Sequence, residues 1–318
     1  MVHFLSRRLL QAIPALLLIS AAVFLVVYLI PGDPASLLLG RSATPEAIAA
    51  VEARLGLDRP VHVRYLLWLR HAAAGNFGSS VISRQPVLTL VADAFPVTAW
   101  LTVASFAVAL VISVPIGILA ALRRNSWVDL LCTSFAMAGV SIPSFWLAIM
   151  LIYLFSVRLR WFPLQGWVSP LDDPVVGIKT ITLPAITIGV FLSGPLMRYL
   201  RSTVIQVMTQ DYVRVARAKG LSERRVVVGH ILRNSLIPFV TVLGIQAGHL
   251  LGGAIIIEQV FALPGLGRLA IQAIGNRDYP VVQGVVLLVA VGFVLVNIAV
   301  DLLYSILDPR IRVGRGST

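Results

Sequence analysis

Long runs of apolar residues, separated by short polar segments, set the pattern of this chain. Six stretches contain no Asp, Glu, Lys or Arg: Leu9–Ile30, Val97–Leu122, Leu130–Val157, Thr180–Met197, Asn234–Ile257 and Tyr279–Val300. A helix needs about 20 largely apolar residues to cross a bilayer. The shortest stretch, Thr180–Met197, is expected to continue through Arg198 towards Arg201. The pattern therefore predicts an all-α integral membrane protein with six transmembrane helices.

The first apolar run resembles a signal peptide in one respect, because Arg7 and Arg8 precede it. It is longer than the usual apolar region of such peptides, and no small-residue cleavage site closes it. An uncleaved first transmembrane helix is therefore expected.

The polar segment between the first two runs has the signals of a folded external subdomain. Pro31-Gly32-Asp33-Pro34 ends the first helix abruptly, because proline and glycine do not continue it. Two short helices are expected to follow: one from Pro45 to Gly56, capped by Thr44, and one from Asp58 and Pro60 to about Ala74, closed by Gly75. The second helix carries apolar residues at helical spacing: Val61, Tyr65, Trp68 and Leu69. The subdomain is expected to lie on the membrane, packed by its Trp and Tyr.

A polar, basic segment between the fourth and fifth runs is the most informative part of the chain. Eight basic residues lie between Arg198 and Arg233. Asp211 suits a helix start, and Lys219 with Gly220 suits a helix end, where glycine adopts the left-handed stop. Ser222 is then expected to cap a second helix, with Glu223 in its first turn. The segment predicts a helix–glycine–helix elbow that docks a soluble partner; the alternative is a solvated basic linker.

Charge sets the orientation of the spans. The chain has a formal charge of +12, yet only 13% of its 318 residues are charged and 58% are hydrophobic. With the N-terminus inside, the cytoplasmic segments hold 15 Lys and Arg residues and the short external loops hold five. Short cytoplasmic loops are enriched in these residues. Both termini are therefore expected inside, and no nucleic acid partner is expected, because the basic residues sit in short loops beside apolar runs.

Several kinds of chemistry have no visible residues here. The two lysines, Lys179 and Lys219, do not follow glycine, so a G-x-x-x-x-G-K-[ST] phosphate loop is absent. No H-E-x-x-H, G-x-S-x-G or C-x-x-C motif occurs, and the single Cys132 excludes an internal disulfide. Ion-driven carriers usually keep ionisable residues at mid-membrane, but the interiors of these runs hold none. Energy for transport is therefore expected to come from another subunit.

A few polar or helix-breaking residues in or beside the spans are candidates for the transport path or its gate. They are Pro143, Glu258, Asn297 and Asp301. Glu258 and Asp301 lie at span ends, where a structural role at the interface is the alternative. A proline within a span gives a kink or takes part in ordinary helix packing. For Pro143, ordinary helix packing is therefore the alternative to a role in the path.

An ordered set of motifs resembles one family along nearly the whole chain. The motifs are Arg7-Arg8-Leu9-Leu10, Pro31-Gly32-Asp33-Pro34, Leu55-Gly56-Leu57-Asp58, Asp211-Tyr212-Val213-Arg214, Ala216-Arg217-Ala218-Lys219-Gly220, Leu232-Arg233-Asn234-Ser235-Leu236-Ile237-Pro238, Pro264-Gly265-Leu266-Gly267-Arg268, Arg277-Asp278-Tyr279-Pro280, Asp301-Leu302-Leu303-Tyr304 and Asp308-Pro309-Arg310. The chain is similar to the permease subunits of binding-protein-dependent ABC importers, in the dipeptide/oligopeptide/nickel group. The resemblance implies the type I ABC importer permease fold in a bacterial inner membrane.

The resemblance also implies the role of the elbow. In the wider superfamily this loop carries Glu-Ala-Ala-x-x-x-Gly, whereas here the positions hold Arg214-Val215-Ala216-x-x-x-Gly220. A basic residue, Arg214, therefore stands where the superfamily has an acidic one. By analogy, the first short helix sits in a groove of an ATPase subunit. The coupling residues implied are Asp211, Arg214, Ala216, Lys219, Gly220 and Leu221.

The partners implied are a second, homologous permease, two P-loop ATPases, an external substrate-binding protein and membrane lipid. This chain would hold no cofactor and have no enzymatic activity, since ATP and Mg²⁺ would bind the ATPases. Small peptides are the expected substrates, with di- and tripeptides, including glutathione, ahead of longer ones. The alternatives are a nickel or other small-solute importer, an ATP-independent carrier and an intramembrane enzyme.

The expected organisation has four parts. Residues 1–30 form the N-terminal segment and first span, 31–96 the external subdomain, 97–308 the transmembrane core and 309–318 a cytoplasmic tail. The coupling loop, 198–235, lies within the core.

Overall fold

The computed structural model describes residues 2–29, 44 and 60–307. In this part of the chain the secondary structure is helical, with one isolated β-bridge between Ser79 and Pro86. The helices are α1 (Val2–Leu29), α2 (Val61–Ala73), α3 (Val87–Leu122), α4 (Trp127–Ser141), α5 (Ser144–Leu151, continued by a π-helical segment, Ile152–Arg158), α6 (Pro174–Met208), α7 (Asp211–Ala218), α8 (Glu223–Val226, continued by a π-helical segment, Val227–Leu232), α9 (Arg233–Val260), α10 (Leu266–Gly275) and α11 (Tyr279–Leu307). The expected all-α fold is confirmed.

Three helices among the described residues are long and apolar enough to cross a membrane. They are Val87–Leu122, Pro174–Met208 and Tyr279–Val300, and the number reaches five if each of two bent helix pairs counts as one span. Helix α6 extends further than the predicted end near Arg201, to Met208. The six-span count and the position of the termini stay predictions.

The prediction of one continuous helix over Leu130–Val157 is wrong. Helix α4 ends at Ser141, α5 begins at Ser144, and the two axes differ by 95°. Pro143 has no amide hydrogen to donate, and it pushes Ile142 to an extended backbone with ψ of 124°. The proline therefore divides this segment into two helices, whereas only a kink within one helix was expected.

Some predicted features lie outside the described residues. They are the helix stop at Pro31–Pro34, the helix from Pro45 to Gly56, the tail at 309–318 and the side chain of Asp301. The second helix expected in this segment is present, because α2 covers Val61–Ala73 and Gly75 follows it with a φ of +79°.

One compact unit comprises residues 1–95 and 269–294. Tyr65 and Trp68 of α2 pack against Phe24 of α1, with ring centroids 5.5 and 6.0 Å away, and the hydroxyl groups of Ser20 and Tyr65 lie 2.8 Å apart. The loop at Ser79–Pro86 is held by Asp278, whose carboxylate accepts hydrogen bonds from the Ser80 hydroxyl and the Val81 amide. The expected packing by Trp and Tyr is confirmed, with α1 as the partner.

The second unit comprises residues 96–268 and 295–318. Its hydrophobic core is centred on α6, which buries Leu183, Leu192, Leu196 and Leu200 to 2% exposure or less. Residues from α3, α7, α8 and α9 complete the same cluster: Leu101, Val213, Ala216, Val226, Phe239 and Ile257. The short helices of the polar segment are thus packed on the apolar helices of this unit.

Gly194 sets how closely α4 and α6 approach. A Cβ atom on Gly194 would lie 2.6 Å from the Ala136 carbonyl oxygen and 2.5 Å from Cγ2 of Val140. We expect Gly194→Ala to lower the free energy of unfolding by about 1–3 kcal/mol, because the helices must separate. Gly229→Ala is the matched control, since nothing lies within 4 Å of its Cβ position. Thermal denaturation in detergent measures both, and equal melting temperatures would contradict the close-packing argument.

Candidate functional site

The elbow predicted around Gly220 is present and closed by backbone hydrogen bonds. Gly220 has a φ of +76°. Its amide donates to the Arg217 carbonyl oxygen at 2.9 Å, and the Leu221 amide donates to the Ala216 carbonyl oxygen at 3.4 Å. These two bonds form the Schellman motif, which satisfies carbonyl groups at a helix C-terminus. The left-handed stop at Gly220 is confirmed.

The two helix starts use backbone groups rather than side-chain caps. Asp211 is the first residue of α7, where a negative charge faces the positive end of the helix. Ser222 is the N-cap residue of α8, as expected, but its side chain makes no capping hydrogen bond. Its carbonyl oxygen accepts from the amides of Arg225 and Val226. The carboxylate of the next residue, Glu223, binds Arg217.

An ion pair spans the elbow from one helix to the other. Arg217 of α7 donates to the Glu223 carboxylate of α8 from Nη2 at 2.6 Å and from Nε at 3.2 Å. These charge-assisted, bidentate bonds link the last turn of α7 to the first residue of α8. The hydrogen bond from Arg217 also lowers the pKa of the Glu223 carboxyl group below its ordinary value.

Helix α7 has one face on the core and one in solvent. Val213 and Ala216 are buried in the hydrophobic cluster, whereas Tyr212 and Val215 are 43% and 51% exposed. Arg214 lies on the solvent side, where Nη1 is 3.5 Å from the carboxylate of Asp211, which is still more exposed. The outer face therefore combines an aromatic ring, an aliphatic side chain and basic groups, the composition of a docking surface.

The predicted coupling residues fall into two groups on this elbow. Asp211, Arg214, Lys219 and Gly220 are exposed, and a partner can reach them. Ala216 is buried and Leu221 is half-buried, and both pack on the core. These two hold the elbow on the protein, and the exposed residues present its surface.

The second arm of the elbow runs directly into an apolar helix. The backbone stays helical from Glu223 through the π-helical segment into α9, with helical angles at Val226 and Leu232. A bend of 46° occurs at Pro238. Phe239, immediately after the bend, is 1% exposed, so the bend is held in the core. The elbow is thus one end of a helical element that reaches Val260.

The candidate path residues occupy different settings. Pro143 lies at the break between α4 and α5, and Asn297 is half-buried in α11. Glu258 is fully buried near the end of α9 and accepts a hydrogen bond from the Thr98 hydroxyl at 2.7 Å. Thr98 lies 160 positions away, and a threonine in an apolar run gives no sequence signal of such a partner.

A second pair missed from the sequence links α4 and α6. Arg201 donates to both carboxylate oxygens of Asp129, from Nε and Nη2, each at 2.6 Å. The Asp129 side chain is 8% exposed and that of Arg201 is 27% exposed. The carboxylate also accepts hydrogen bonds from the Asn125 amide and the Thr133 hydroxyl. Arg201 thus joins two helices, although the charge count treats it as a loop residue.

Family models match most of this chain. Residues 113–313 match the model of the binding-protein-dependent transport system inner membrane component, and residues 1–102 match the model of the N-terminal part of such membrane components. The chain belongs to this family of inner membrane transport components. This match confirms the family that the sequence motifs indicated. It also confirms the expected location in the inner membrane.

Other members of this family of inner membrane components are similar along their full length. A protein of Brucella abortus named as a peptide transport system permease is 45% identical over 98% of this chain and 99% of its own. The glutathione transport system permease protein GsiC of Salmonella typhimurium is 44% identical over the same shares. These relatives are transport permeases, in agreement with the expectation that this component is a permease and not an enzyme.

Solved structures of a methionine ABC transporter share the fold of this inner membrane component. Two crystal forms of the MetNI transporter, described as inward facing, match with TM-scores of 0.54 and 0.55. The first covers 69% of this chain and 96% of the solved chain at 20% identity, and the second covers 70% and 97% at 21% identity. The expected ABC importer permease fold is confirmed.

Proposed function

We propose that this chain is one of two permease subunits of an ATP-driven importer for small peptides. It pairs with a second, homologous permease, two P-loop ATPases on the cytoplasmic side and a substrate-binding protein outside. In this proposal the chain has six spans with both termini inside, and the elbow lies in the cytoplasm. The family description supports the binding protein, and the absence of a phosphate loop in the sequence supports ATP hydrolysis by partner subunits.

The elbow carries the proposal for ATPase coupling. Its Schellman stop and the Arg217–Glu223 pair make α7 a compact projection, and α8 continues into α9. An ATPase that holds the exposed face of α7 can therefore move a transmembrane helix through one connected element. Closure of two ATPases would push the elbows of both permeases together and switch the path from inward- to outward-facing.

Di- and tripeptides, including glutathione, are the proposed substrates. The support is the names of relatives that are 44–45% identical over 98% of this chain. The external binding protein would select the peptide, and this chain would provide half of the path that the peptide takes through the membrane.

Purification from the native membrane, followed by reconstitution, tests this function. We expect two P-loop ATPases and a second permease to co-purify with the tagged chain. Vesicles containing the complex and its binding protein are expected to accumulate labelled alanyl-alanine or glutathione only with ATP. Stable isolation of the chain alone, with solute transport in the absence of ATP, would overturn the proposal.

Charge reversal at Arg214 is expected to weaken binding of the ATPase. Arg214 lies on the exposed face of α7 and has only a weak, solvent-exposed pair with Asp211, so its charge is available to a partner. We expect Arg214→Glu to weaken ATPase association at least about tenfold, or about 1.4 kcal/mol, without changing peptide binding by the external protein. Size exclusion of the detergent-solubilised complex measures this. Arg70→Glu, the same charge change on exposed helix α2, is the control; equal complex yield from both variants would argue against the docking face.

A further inference from the structure

A buried carboxyl group joins three segments at the end of α9 that is remote from the elbow. Glu258 has no solvent exposure. One carboxyl oxygen accepts from the Thr98 hydroxyl of α3 at 2.7 Å, and the other accepts from the Arg268 amide in the first turn of α10 at 3.0 Å. One side chain of α9 thus contacts both α3 and α10.

The turn between α9 and α10 is shaped around this carboxyl group. A Cβ atom on Gly265 would overlap the Glu258 carboxyl group, so a larger residue there would force this carboxyl group to shift. The Thr98 hydroxyl accepts from the Leu266 amide at 2.8 Å, and the Arg268 guanidinium donates to the Ala262 carbonyl oxygen at 2.6 Å. The first amides of a helix lack partners within it. Glu258 and Thr98 therefore satisfy the start of α10 from outside that helix.

The same helical element carries the elbow at its other end. The helical backbone runs from Glu223 to Val260, about 57 Å of contour at 1.5 Å per residue. The elbow, the bend at Pro238 and the residues bonded to Glu258 all belong to one compact unit. Movement of the elbow and movement of the turn at Glu258 are therefore connected through α9.

We propose that Glu258 is a positioning residue that transmits movement of α9 to α3 and to the first turn of α10 during transport. The proposal rests on the proposed function, in which an ATPase displaces the elbow. Because Glu258 is bonded to both neighbours, a shift of α9 moves Thr98 and the amides of α10 with it. Without these bonds α9 moves alone, and ATP hydrolysis no longer drives peptide transfer.

Variants at Thr98 and Glu258 in the complete reconstituted complex test the coupling. Thr98→Val keeps the shape of the side chain and removes the hydroxyl, whereas Thr98→Ser keeps the hydroxyl and is the matched control. Glu258→Gln replaces an acceptor with a donor facing the amides of α10. We expect Thr98→Val and Glu258→Gln to lower uptake of labelled alanyl-alanine or glutathione per ATP hydrolysed at least about tenfold. ATP hydrolysis should stay within about threefold, and Thr98→Ser should retain coupling.

The double variant and complex stability separate positioning from general damage. The double variant should lose less than the product of the two single losses, because both changes break the bond between Thr98 and Glu258. The proposal would be overturned if the loss of uptake per ATP in the double variant equalled the product of the two single losses. Unchanged uptake per ATP in Thr98→Val would also overturn it. If Glu258→Gln fails to assemble, Thr98→Val, which removes a single hydroxyl group, carries the test.

Hydrogen exchange distinguishes failure of this inference from failure of the proposed function. Trapping the wild-type complex with ATP and vanadate should change amide exchange at the elbow, Asp211–Leu221, and at the start of α10, Leu266–Arg268. In Glu258→Gln only the elbow should respond, because the bond from Glu258 to the Arg268 amide joins α9 directly to the start of α10. A wild-type elbow that does not respond contradicts the proposed coupling function. A wild-type elbow that responds while Leu266–Arg268 does not overturns the role of Glu258 alone.

Discussion

Gly220→Val is expected to reduce uptake to the background level while membrane insertion stays normal. Gly220 has a φ of +76°, and nothing lies within 4 Å of its Cβ position, so the effect is purely conformational. A β-branched residue in this region costs about 1–3 kcal/mol. The chain can avoid that cost by leaving the left-handed conformation, which breaks the two hydrogen bonds that end α7 and moves its docking face. ATP-dependent uptake, measured at matched expression, reports the loss.

Two variants define what the elbow requires. Gly220→Asn should retain a substantial part of uptake, because asparagine tolerates the left-handed region better than other non-glycine residues. Gly229→Val introduces the same side chain nearby, at an exposed glycine without positive φ and with open space around its Cβ position, and should transport normally. Normal uptake by Gly220→Val at normal expression would contradict the assignment of the elbow as the coupling element.

Asp129→Ala is expected to give the largest loss of stability. The substitution leaves the part-buried Arg201 guanidinium, the Asn125 amide and the Thr133 hydroxyl without their acceptor. Breaking a buried pair by removing one partner costs about 3–5 kcal/mol. Because Arg201 is 27% exposed, we expect the lower end, about 3 kcal/mol. Thermal denaturation of the purified chain in detergent measures the shift.

The exposed pair at the elbow is the matched control for this prediction. Glu223→Ala removes an Arg–carboxylate pair of similar geometry, with side chains 38% and 60% exposed, and should cost less than about 1 kcal/mol. Replacing both members of the buried pair, as in Asp129→Leu with Arg201→Met, should recover part of the loss. Equal destabilisation by Asp129→Ala and Glu223→Ala would contradict the importance of burial.

The elbow was predictable from the sequence because its signals are local. A glycine after a basic residue marks a helix stop, and an aspartate eight residues earlier than Lys219 marks the start, without reference to the rest of the chain. Ser222 shows the limit of this reasoning. A serine before Glu223 predicts a cap, but Arg217, five residues before Ser222, binds the glutamate across the turn, and the identity of that partner depends on the folded geometry.

The break at Pro143 and the bonds of Glu258 could not be predicted for different reasons. The apolar run around Pro143 is uninterrupted, and hydropathy does not distinguish a kinked helix from two helices at 95°. Glu258 lies at a span end, a position that suits a path residue as well as a buried structural one. Its partner Thr98 is distant in sequence and carries no charge, so only the fold brings the two together.

The Schellman stop at Gly220 separates the shape of the elbow from its chemistry. The hydrogen bonds that end α7 come from backbone groups, and Val213 and Ala216 attach it to the core. The side chains of Tyr212, Arg214 and Val215 take no part in either task. The charge of the docking face can therefore change sign while the elbow keeps its form. Position 214 is an example, because it holds an arginine where the wider superfamily has a glutamate. Under the proposed function, single substitutions on this face would adapt the chain to a different ATPase without refolding the elbow.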